Sequence, residues 1–535
     1  MKLSISTLSD KSGWAQAGIS IPNFDVLEMQ KKTKEAPVWV HFGAGNFFRG
    51  FIAALAHNLL ETGDMDRGIV AVSTYNRDIV SRIYEPYDNL ILRVSLGAKG
   101  TLMPEVLGSI AEALVLEQEE LTGRTRLHEI FKNPGLQIAS LTITEKGYAL
   151  RDPSGEWLPS VAQDMENGPG KTSHAMGILA ELLYSRYLAG AYPLAVVSMD
   201  NCSQNGTLLK NAVYEIAKTW ENAKHVDDGF LTYLDDESKV AFPWTMVDKI
   251  APRPDETIEA DLKRRGIEDM ETIVTSKNTY IAPFVNVEDS EYLVIEDKFP
   301  AGRPALEKTG VYFVDRDTVG KMERMKVTTC LNPLHTAMSM YGCLLGYTRI
   351  SAEMKDKDIV ALIRRLGYVE GLPVVDNPIV ISPKEFLDTV INERFPNPFM
   401  PDAPQRIATD TSQKVGIRFG ETIKRYVEQG LDMNSLIAIP LSIAGWLRYL
   451  LAVDDEGNEI EVSSDPLLAE LQEKVRSIVW NDPSSYNGQI REILSNKLIF
   501  GIDLTETPLA DKIEAIFVEL LAGKGAVRAT LQRYL

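Results

Sequence analysis

Cysteine and histidine are scarce in this sequence, which limits the metal and disulfide chemistry available to it. The chain has three cysteines, at positions 202, 330 and 343, and six histidines. No two cysteines have a Cys-x-x-Cys spacing, and no histidines have a His-x-His or HExxH spacing. We therefore expect no disulfide framework, no metal site and a reducing compartment.

Positive charge and long apolar runs are also in short supply. Lysine and arginine number 56 against 75 aspartates and glutamates, a net charge of −19, which disfavours nucleic acid and anionic membranes as partners. No apolar run approaches the roughly 20 residues that span a bilayer, and the first segment, MKLSISTLSDKSGW, has no apolar signal core. The sequence predicts a cytoplasmic protein whose partner is a small molecule.

The order of apolar segments predicts two domains after an N-terminal extension. The chain of 535 residues, 44% hydrophobic, is too long for one ordinary core. Residues 1–36 are mixed and polar, whereas a strand-turn-helix-turn-strand pattern over residues 38–74 is typical of a doubly wound parallel sheet. Beyond about residue 316 the apolar periodicity is mainly helical. We predict an α/β fold with a Rossmann-type dinucleotide-binding domain at residues 37–300 and a mostly α-helical substrate and catalytic domain at residues 301–535.

A glycine turn after the first predicted strand is a candidate cofactor loop. It reads GAGNFFRG at residues 43–50. Gly43 permits a tight turn, Gly45 lets the backbone approach a pyrophosphate, and the next helix offers unpaired N–H groups. Phe48 replaces the third glycine of the dinucleotide fingerprint, and the alternative is a turn without a ligand. The predicted cofactor-binding residues here and after the second strand are Gly43, Gly45, Asn46, Phe47, Arg49, Asn76 and Arg77.

The second predicted strand ends without the acid that holds the ribose 2′-hydroxyl of NAD in many Rossmann domains. The strand instead runs into Ser73-Thr74-Tyr75-Asn76-Arg77. Small hydroxyls with a nearby arginine can accommodate a 2′-phosphate, so the cofactor is NAD with NADP left open. The alternative for Arg77 is a solvent-facing or capping side chain.

Lys326, Asn332 and His335 form a candidate catalytic set. Asn332-Pro333 is typical of a helix start, which places Asn332 and His335 within one turn of each other. A desolvated lysine can act as the base for alcohol oxidation, and the other two side chains can hydrogen-bond the reacting oxygen. No metal is needed. The alternative is that Asn332 only caps its helix, His335 is a core histidine and Lys326 is solvated.

Six segments together resemble the mannitol 2-dehydrogenase family of polyol-specific long-chain dehydrogenases, from about residue 36 to the C-terminus. They are GAGNFFRG at 43–50, TEKGY at 144–148, SMDNCSQNG at 198–206, FPWTMVDKI at 242–250, residues 326–335, and RIATDTSQK at 406–414. The resemblance implies a Rossmann domain, a helical C-terminal domain and an active site between them. It implies Lys326 as the general base and Asn332 and His335 as oxygen-stabilising groups.

The resemblance also implies roles for residues outside the catalytic set. Asn201, Asp248, Arg406 and Lys414 match substrate-contacting positions, and Glu145 and Glu323 match acids linked to proton passage. The alternatives are that Asp248 caps a loop, that the two cations pair with surface acids, and that Glu323 is solvated. One spacing departs from the family: Lys-x5-Asn-x2-His stands here in place of Lys-x4-Asn-x2-His, and we expect a bulge to absorb the extra residue.

Overall likeness favours the uronate branch of this family. We therefore expect reversible NAD(P)-dependent reduction of D-fructuronate to D-mannonate, in which Asn332 and His335 polarise the keto oxygen and Lys326 donates the proton. Arg406 and Lys414 could hold a carboxylate, whereas Asp248 would repel one and so should contact hydroxyls. The alternatives are a mannitol, arabinitol or tagaturonate enzyme of the same chemistry, or a non-catalytic dinucleotide-binding sensor.

Overall fold

The computed structural model describes residues 1–116, 121–143 and 145–535, without the side chains of Leu121 and Glu145. The chain divides into two compact units. Unit 1 comprises residues 1–97 and 101–320, and unit 2 comprises residues 98–100 and 321–535. Unit 1 thus includes the N-terminal extension and continues past the predicted boundary at residue 300.

The strands of the described residues all lie in unit 1. In chain order they are β1 (Trp39–Phe42), β2 (Ile69–Ser73), β3 (Ile91–Leu96), β4 (Leu102–Leu107), β5 (Ile110–Val115), β6 (Ile138–Leu141), β7 (Leu194–Ser198), β8 (Val240–Ala241), β9 (Thr245–Asp248), β10 (Ile273–Val274), β11 (Tyr280–Ile281), β12 (Phe284–Glu288), β13 (Tyr292–Glu296) and β14 (Tyr312–Val314).

The principal sheet has six parallel strands in the order β5-β2-β1-β6-β7-β8. Counted along the chain within this sheet, the order is 3-2-1-4-5-6, which is that of a dinucleotide-binding Rossmann sheet. The strand order reverses between β1 and β6, and ligands of such sheets bind outside the carboxyl ends of the strands at that point. The predicted α/β class, with a Rossmann-type sheet and a helix-rich second half, is confirmed.

These strands form because nearly every residue in them is apolar and is buried on one face or the other. In β1, Val40 and Phe42 join one hydrophobic cluster and Trp39 joins the cluster on the opposite face. The same alternation recurs in β2, where Val70 and Ile69 belong to different clusters. Two buried faces therefore require helices on both sides of the sheet.

Two smaller three-stranded sheets were not predicted from the sequence. Their orders are β12-β3-β4 and β14-β13-β9, and β10 and β11 form a separate antiparallel pair. β14 pairs with β13 in parallel, with Val294 opposite Tyr312 and Glu296 opposite Val314. This pairing explains why unit 1 extends beyond the predicted boundary.

The α-helices up to the unit boundary lie mainly between the strands. They are α1 (Lys11–Gln16), α2 (Val26–Glu35), α3 (Ala53–Glu61), α4 (Arg77–Ile79), α5 (Leu121–Lys132), α6 (Glu145–Tyr148), α7 (Pro159–Asn167), α8 (Ala175–Leu188), α9 (Asn205–Asn222), α10 (Gly229–Asp235), α11 (Glu256–Arg264) and α12 (Arg316–Met325).

Unit 2 is helical throughout its described secondary structure. Its helices are α13 (Asn332–Leu344), α14 (Ile350–Glu353), α15 (Lys357–Arg364), α16 (Pro383–Thr389), α17 (Pro404–Ile407), α18 (Glu421–Glu428), α19 (Ala438–Tyr449), α20 (Leu468–Val475), α21 (Arg491–Leu494), α22 (Lys497–Phe500), α23 (Leu509–Leu520) and α24 (Ala526–Tyr534). Among the described residues, no helix combines the length and the apolar character needed to cross a lipid bilayer.

Short π-helical and 3-10 turns interrupt or extend these helices. The π turns are Phe48–Ile52, Val80–Tyr84, Lys326–Cys330, Arg365–Gly371, Val390–Arg394 and Gly416–Gly420. The 3-10 turns are Ile5–Ser9, Glu85–Tyr87, Leu306–Thr309, Leu372–Val374, Thr411–Gln413, Met433–Ser435, Pro483–Ser485 and Leu504–Glu506. Since π turns are rare and occur often at functional sites, their positions point to candidate functional segments.

Glu353, at the end of α14, is a buried acid that the core of unit 2 leaves unpaired. It is 0% exposed, and neither carboxylate oxygen has a hydrogen-bond partner among the described residues. Burial and the neighbouring Asp356 raise the pKa of Glu353 well above its usual value. The side chain therefore keeps its proton to a higher pH than an exposed glutamate does.

We expect Glu353→Gln to stabilise unit 2 at pH 8 and to change little at pH 5. A raised folded-state pKa means that the wild type loses stability as pH rises above the unfolded pKa of about 4.3, by up to about 1.4 kcal/mol per pH unit. Glutamine is neutral at every pH and removes this loss. Thermal melting of both proteins at the two pH values measures the effect, with the exposed Glu428→Gln as the control. An equal melting difference at both pH values would contradict it.

Candidate functional site

Gly43 makes the turn that leaves β1, and only glycine fits there. Its φ is +119° and its N–H donates to Val72 O at 2.9 Å. A Cβ atom at this position would lie 2.4 Å from Thr142 Oγ1 and 2.7 Å from Thr142 O. The turn is thus held against both neighbouring strands, at the reversal point of the sheet.

Buried polar side chains pack against this turn and hydrogen-bond the strands beside it. His41, fully buried in β1, contacts Ser140 Oγ at 2.7 Å and Thr142 Oγ1 at 2.9 Å, and its ring stacks on Phe48. Burial lowers the pKa of His41 to about 3, so the ring is neutral. The Tyr84 hydroxyl donates to Ala44 O at 2.9 Å. The loop is therefore rigid before any ligand binds.

Gly45 and Asn46 face a cavity of about 320 Å³ in unit 1. A Cβ atom at Gly45 would meet nothing within 4 Å, so the backbone here is open to a ligand. The cavity is lined by residues of the glycine turn, of the end of β2 and of β11: Gly43, Ala44, Gly45, Asn46, Ser73, Thr74, Tyr75, Asn76, Ile79, Thr279, Tyr280 and Ile281. Its position outside the carboxyl ends of β1 and β2 fits the pyrophosphate and adenosine end of a dinucleotide.

Arg49 was predicted to bind the cofactor, but its guanidinium is fully buried and occupied by the protein. It donates to Ala282 O at 2.7 Å and to Asn46 Oδ1 at 2.8 Å, and burial lowers its pKa. Phe47 packs edge-on against Phe51. Arg49 thus orients the Asn46 amide, and neither Arg49 nor Phe47 lines the cavity.

The end of β2 is organised around Asn76. Its amide nitrogen donates to Thr279 Oγ1 at 2.9 Å and to Thr275 Oγ1 at 3.2 Å, and its Oδ1 accepts from the Asp78 N–H at 3.1 Å. Arg77 is exposed. The nearby acid, Asp78, accepts from Ser276 N and Oγ, and these hydrogen bonds lower its pKa. The first acid after β2 is therefore already used to fix the adjacent loop.

Asn201 follows β7 and Asp248 is the last residue of β9, and both strands belong to unit 1. The strands are joined here by Thr245, whose hydroxyl donates to Ser198 O at 2.7 Å, and by Asn205, whose amide donates to the Thr245 hydroxyl at 2.8 Å. Asp248 is 4% exposed, so its side chain is shielded from solvent. The structure thus places both predicted substrate residues at carboxyl ends of strands.

A second hydrogen-bond network fixes the turn that carries Asn201. The Tyr148 hydroxyl contacts Ser198 Oγ and donates to Asp200 Oδ2, and Ser198 Oγ donates to the same carboxylate at 2.7 Å. Burial and Asp200 raise the pKa of Tyr148, so it remains a proton donor. Glu145, predicted for proton passage, has its side chain outside the described residues, as does all of Thr144 in the same motif.

The candidate catalytic set lies in unit 2, on the π turn Lys326–Cys330 and on α13, which are separated by the non-helical Leu331. Glu323 is in the last turn of α12, and Lys326 opens the π turn Lys326–Cys330. The Leu331 N–H donates to Lys326 O at 3.1 Å, and α13 then begins at Asn332. The extra residue between the predicted lysine and asparagine is therefore accommodated in a π turn, since such a turn holds one residue more than an α turn.

Asn332 and His335 both lie in the first turn of α13. Asn332 is the first residue of α13, the N-cap is Leu331, and no side chain caps the helix, so the alternative of a capping role fails. His335 Nε2 is buried without a hydrogen-bond partner among the described residues, and lies 3.8 Å from Asp402 Oδ2. Burial lowers the pKa of His335 to about 4, despite Asp402. A neutral imidazole and a side-chain amide on one helix turn can both hydrogen-bond a substrate oxygen.

Basic side chains surround His335. Arg406 is exposed and forms an ion pair with Asp402, one turn away on the chain. Lys414 Nζ donates to Thr409 O, and its pKa is lowered by burial and by nearby Arg418. Arg406 thus pairs with an acid, as the alternative to a substrate contact had it. Lys414 lies close to another cation, Arg418.

Asp402 and Arg418 were not predicted. Asp402 lies in a loop of proline and acidic residues, MPDAP, which carries no recognisable spacing to His335. Arg418 is four residues after Lys414, and this spacing could have indicated a shared helical face. In unit 1, Asp200 and Tyr148 were within the recognised motifs but had no assigned role.

Comparison with known proteins agrees with this architecture. The Mannitol dehydrogenase Rossmann domain matches residues 38–308, and the Mannitol dehydrogenase C-terminal domain matches residues 318–520. The D-mannonate oxidoreductase of Thermotoga maritima is 50% identical over 99% of this chain and 98% of its own.

Two solved structures resemble the chain along nearly its whole length. A D-sorbitol dehydrogenase in substrate-free form has a TM-score of 0.80 at 26% identity, covering 99% of this chain and 100% of its own. The mannitol 2-dehydrogenase of Pseudomonas fluorescens, in a ternary complex with NAD and D-mannitol, has a TM-score of 0.70 at 27% identity, covering 100% and 99%. Because both domain models match in order and the likeness extends over the full chain, this protein is an oxidoreductase that belongs to the mannitol dehydrogenase family.

Proposed function

We propose that this enzyme interconverts D-fructuronate and D-mannonate with a nicotinamide dinucleotide as the hydride carrier. The observation that carries the proposal is the 50% identity, over both complete chains, to a protein named D-mannonate oxidoreductase. The surplus of basic side chains around His335 supports it, since the substrate is an anion.

The cavity of unit 1 fits the dinucleotide. Gly43 gives the turn its shape, Gly45 leaves the backbone bare, and Asn46 and Asn76 line the wall at either end. Arg49 orients the Asn46 side chain through a hydrogen bond, and Phe47 packs on Phe51 in the following turn. When bound, the cofactor supplies or accepts the hydride.

We propose NAD as the cofactor, with NADP as the alternative. No acid stands between Ser73 and Arg77 to contact a ribose 2′-hydroxyl. Thr74 lines the cavity, and Lys277 lies over the exposed Tyr75 ring at 5.3 Å. These residues tolerate a 2′-phosphate better than an acid would, so activity with NADP is expected alongside activity with NAD.

Lys326 is proposed as the general acid and base. In the reductive direction its ammonium donates a proton to the oxygen that forms at the former keto carbon, and in oxidation the neutral amine removes that proton. The Asn332 amide and the His335 ring hydrogen-bond the same oxygen as its charge changes. Because His335 is neutral, it can donate from Nε2 without titrating near neutral pH.

The remaining predicted residues have supporting roles in this proposal. Asn201 and Asp248 contact substrate hydroxyls, and the buried Asp248 excludes a carboxylate from its side. Arg406 and Lys414 attract the anionic end. Glu323, one helical turn before Lys326 on α12, passes protons between the lysine and solvent, together with Glu145.

A substrate panel tests the proposal directly. D-mannonate, D-altronate, D-mannitol and D-arabinitol are each offered with NAD and with NADP, and reduced cofactor is followed by absorbance. We expect kcat/KM for D-mannonate to exceed that for every other compound by at least about tenfold. A preference for mannitol or arabinitol would place the enzyme among the neutral-polyol dehydrogenases, and a preference for altronate would make it a tagaturonate reductase. Cofactor binding with no turnover of any compound on the panel would favour the alternative of a non-catalytic dinucleotide-binding sensor.

A further inference from the structure

Arg418 is a mostly buried cation that the protein leaves without an acid. It lies in the π turn Gly416–Gly420 of unit 2. Its guanidinium donates to the Thr336 hydroxyl, and burial lowers its pKa to about 10. Within the described part of the chain, no carboxylate forms an ion pair with it, unlike Arg425 on the following helix, which is paired with Asp376.

Such an arrangement is costly unless something compensates it. A guanidinium removed from water loses hydration that one neutral hydroxyl replaces only in part. Thr336 satisfies a single donor, whereas a guanidinium has five. The partly buried group is therefore preorganised for an anion that arrives from outside the chain, as functional sites often are.

The position of Arg418 connects it with the catalytic set. Its partner Thr336 is the residue after His335 on α13, and the positive charge of Arg418 acts on both His335 and Lys414. Arg406, by contrast, is exposed and neutralised by Asp402. Among the cations near His335, Arg406 is thus already paired with an acid. Arg418, in contrast, bonds within the described part of the protein only to a neutral hydroxyl.

We propose that Arg418 binds the carboxylate of the sugar-acid substrate and so sets the preference for uronates over neutral polyols. This inference rests on the proposed function and assigns it a residue. The planar guanidinium can form two parallel hydrogen bonds to a carboxylate, while Lys414 adds charge nearby. Arg418 thus contacts the end of the substrate remote from the reacting oxygen, which Asn332 and His335 hold.

Arg418→Met tests the assignment by its effect on the Michaelis constant. We expect KM for D-mannonate to rise about 100-fold, with the dissociation constant of NADH unchanged and the melting temperature equal to that of the wild type or higher, because an uncompensated charge is removed. Arg418→Lys should be intermediate, because lysine keeps the charge but not the fork. Arg364→Met is the matched control, since this exposed arginine also bonds a neutral acceptor, Asn392 Oδ1; its KM should equal that of the wild type.

Chemical rescue distinguishes a contact with substrate from a structural role. Arg418→Ala should regain part of its D-mannonate activity when guanidinium chloride is added at a non-denaturing concentration, and the control variant should not respond. A KM within twofold of the wild type in Arg418→Met, or no rescue of Arg418→Ala, would overturn the inference. Absence of D-mannonate oxidation by the wild type itself would instead overturn the proposed function, so the two failures are separate.

Discussion

Lys326→Ala is expected to lower kcat for D-mannonate oxidation by at least about 1000-fold, because the reaction loses its acid and base. The dissociation constant of NADH should stay within about twofold of the wild type, since the cavity proposed for the cofactor is built from residues of unit 1. Stopped-flow absorbance gives kcat, and quenching of protein fluorescence gives the binding constant.

The control for this experiment is Lys384→Ala. Lys384 is an exposed lysine that pairs with Asp388 on α16, so its removal should leave kcat unchanged. Retention of more than a tenth of the wild-type kcat by Lys326→Ala would refute its role as the acid and base. Addition of a small amine such as methylamine should restore part of the lost rate, which a purely structural lysine would not permit.

Gly43→Ala is expected to damage both the fold of the glycine turn and cofactor binding. The new methyl group would lie 2.4 Å from Thr142 Oγ1 and 2.7 Å from a backbone oxygen, at a φ of +119°. A Cβ methyl group is fixed to the backbone and cannot rotate away from the Thr142 carbonyl oxygen, so β1 and β6 must shift. We expect the dissociation constant of NADH to rise at least tenfold, equivalent to about 1.4 kcal/mol, and the melting temperature to fall.

Gly45→Ala is the matched comparison two residues along the same turn. Its methyl group would meet no protein atom within 4 Å, so the melting temperature should not change. It would stand where the pyrophosphate approaches the backbone, so NADH binding should weaken without loss of stability. A native melting temperature and native NADH affinity in Gly43→Ala would contradict the account of the turn.

Local sequence patterns were sufficient for the features that depend on near neighbours. The apolar run Val38–Phe42, the glycine turn after it and the strand that starts at Ile69 all fall where predicted, because burial on both faces of a parallel sheet requires continuous apolar strands. Asn332-Pro333 likewise marks the start of α13, since proline suits the first turn of a helix.

Arg49 shows what a sequence motif does not reveal about a side chain. Its place in GAGNFFRG indicated contact with the cofactor, yet its guanidinium binds Ala282 O, more than two hundred residues away. The sequence around Arg49 contains no sign of that carbonyl. Position within a motif therefore did not reveal on which side of the loop the side chain would lie.

The sequence by itself determined the α/β class, the glycine turn after β1 and the helix that carries Asn332 and His335, because each follows from residues close together in the chain. Only the tertiary structure decided the rest. It assigned β14 to unit 1 through pairing with β13, and it brought Asp402 to His335 and Arg418 to Thr336. Those contacts join residues 18 to 82 positions apart in the chain. They depend on which strands pair and which helices pack together, which no local pattern encodes.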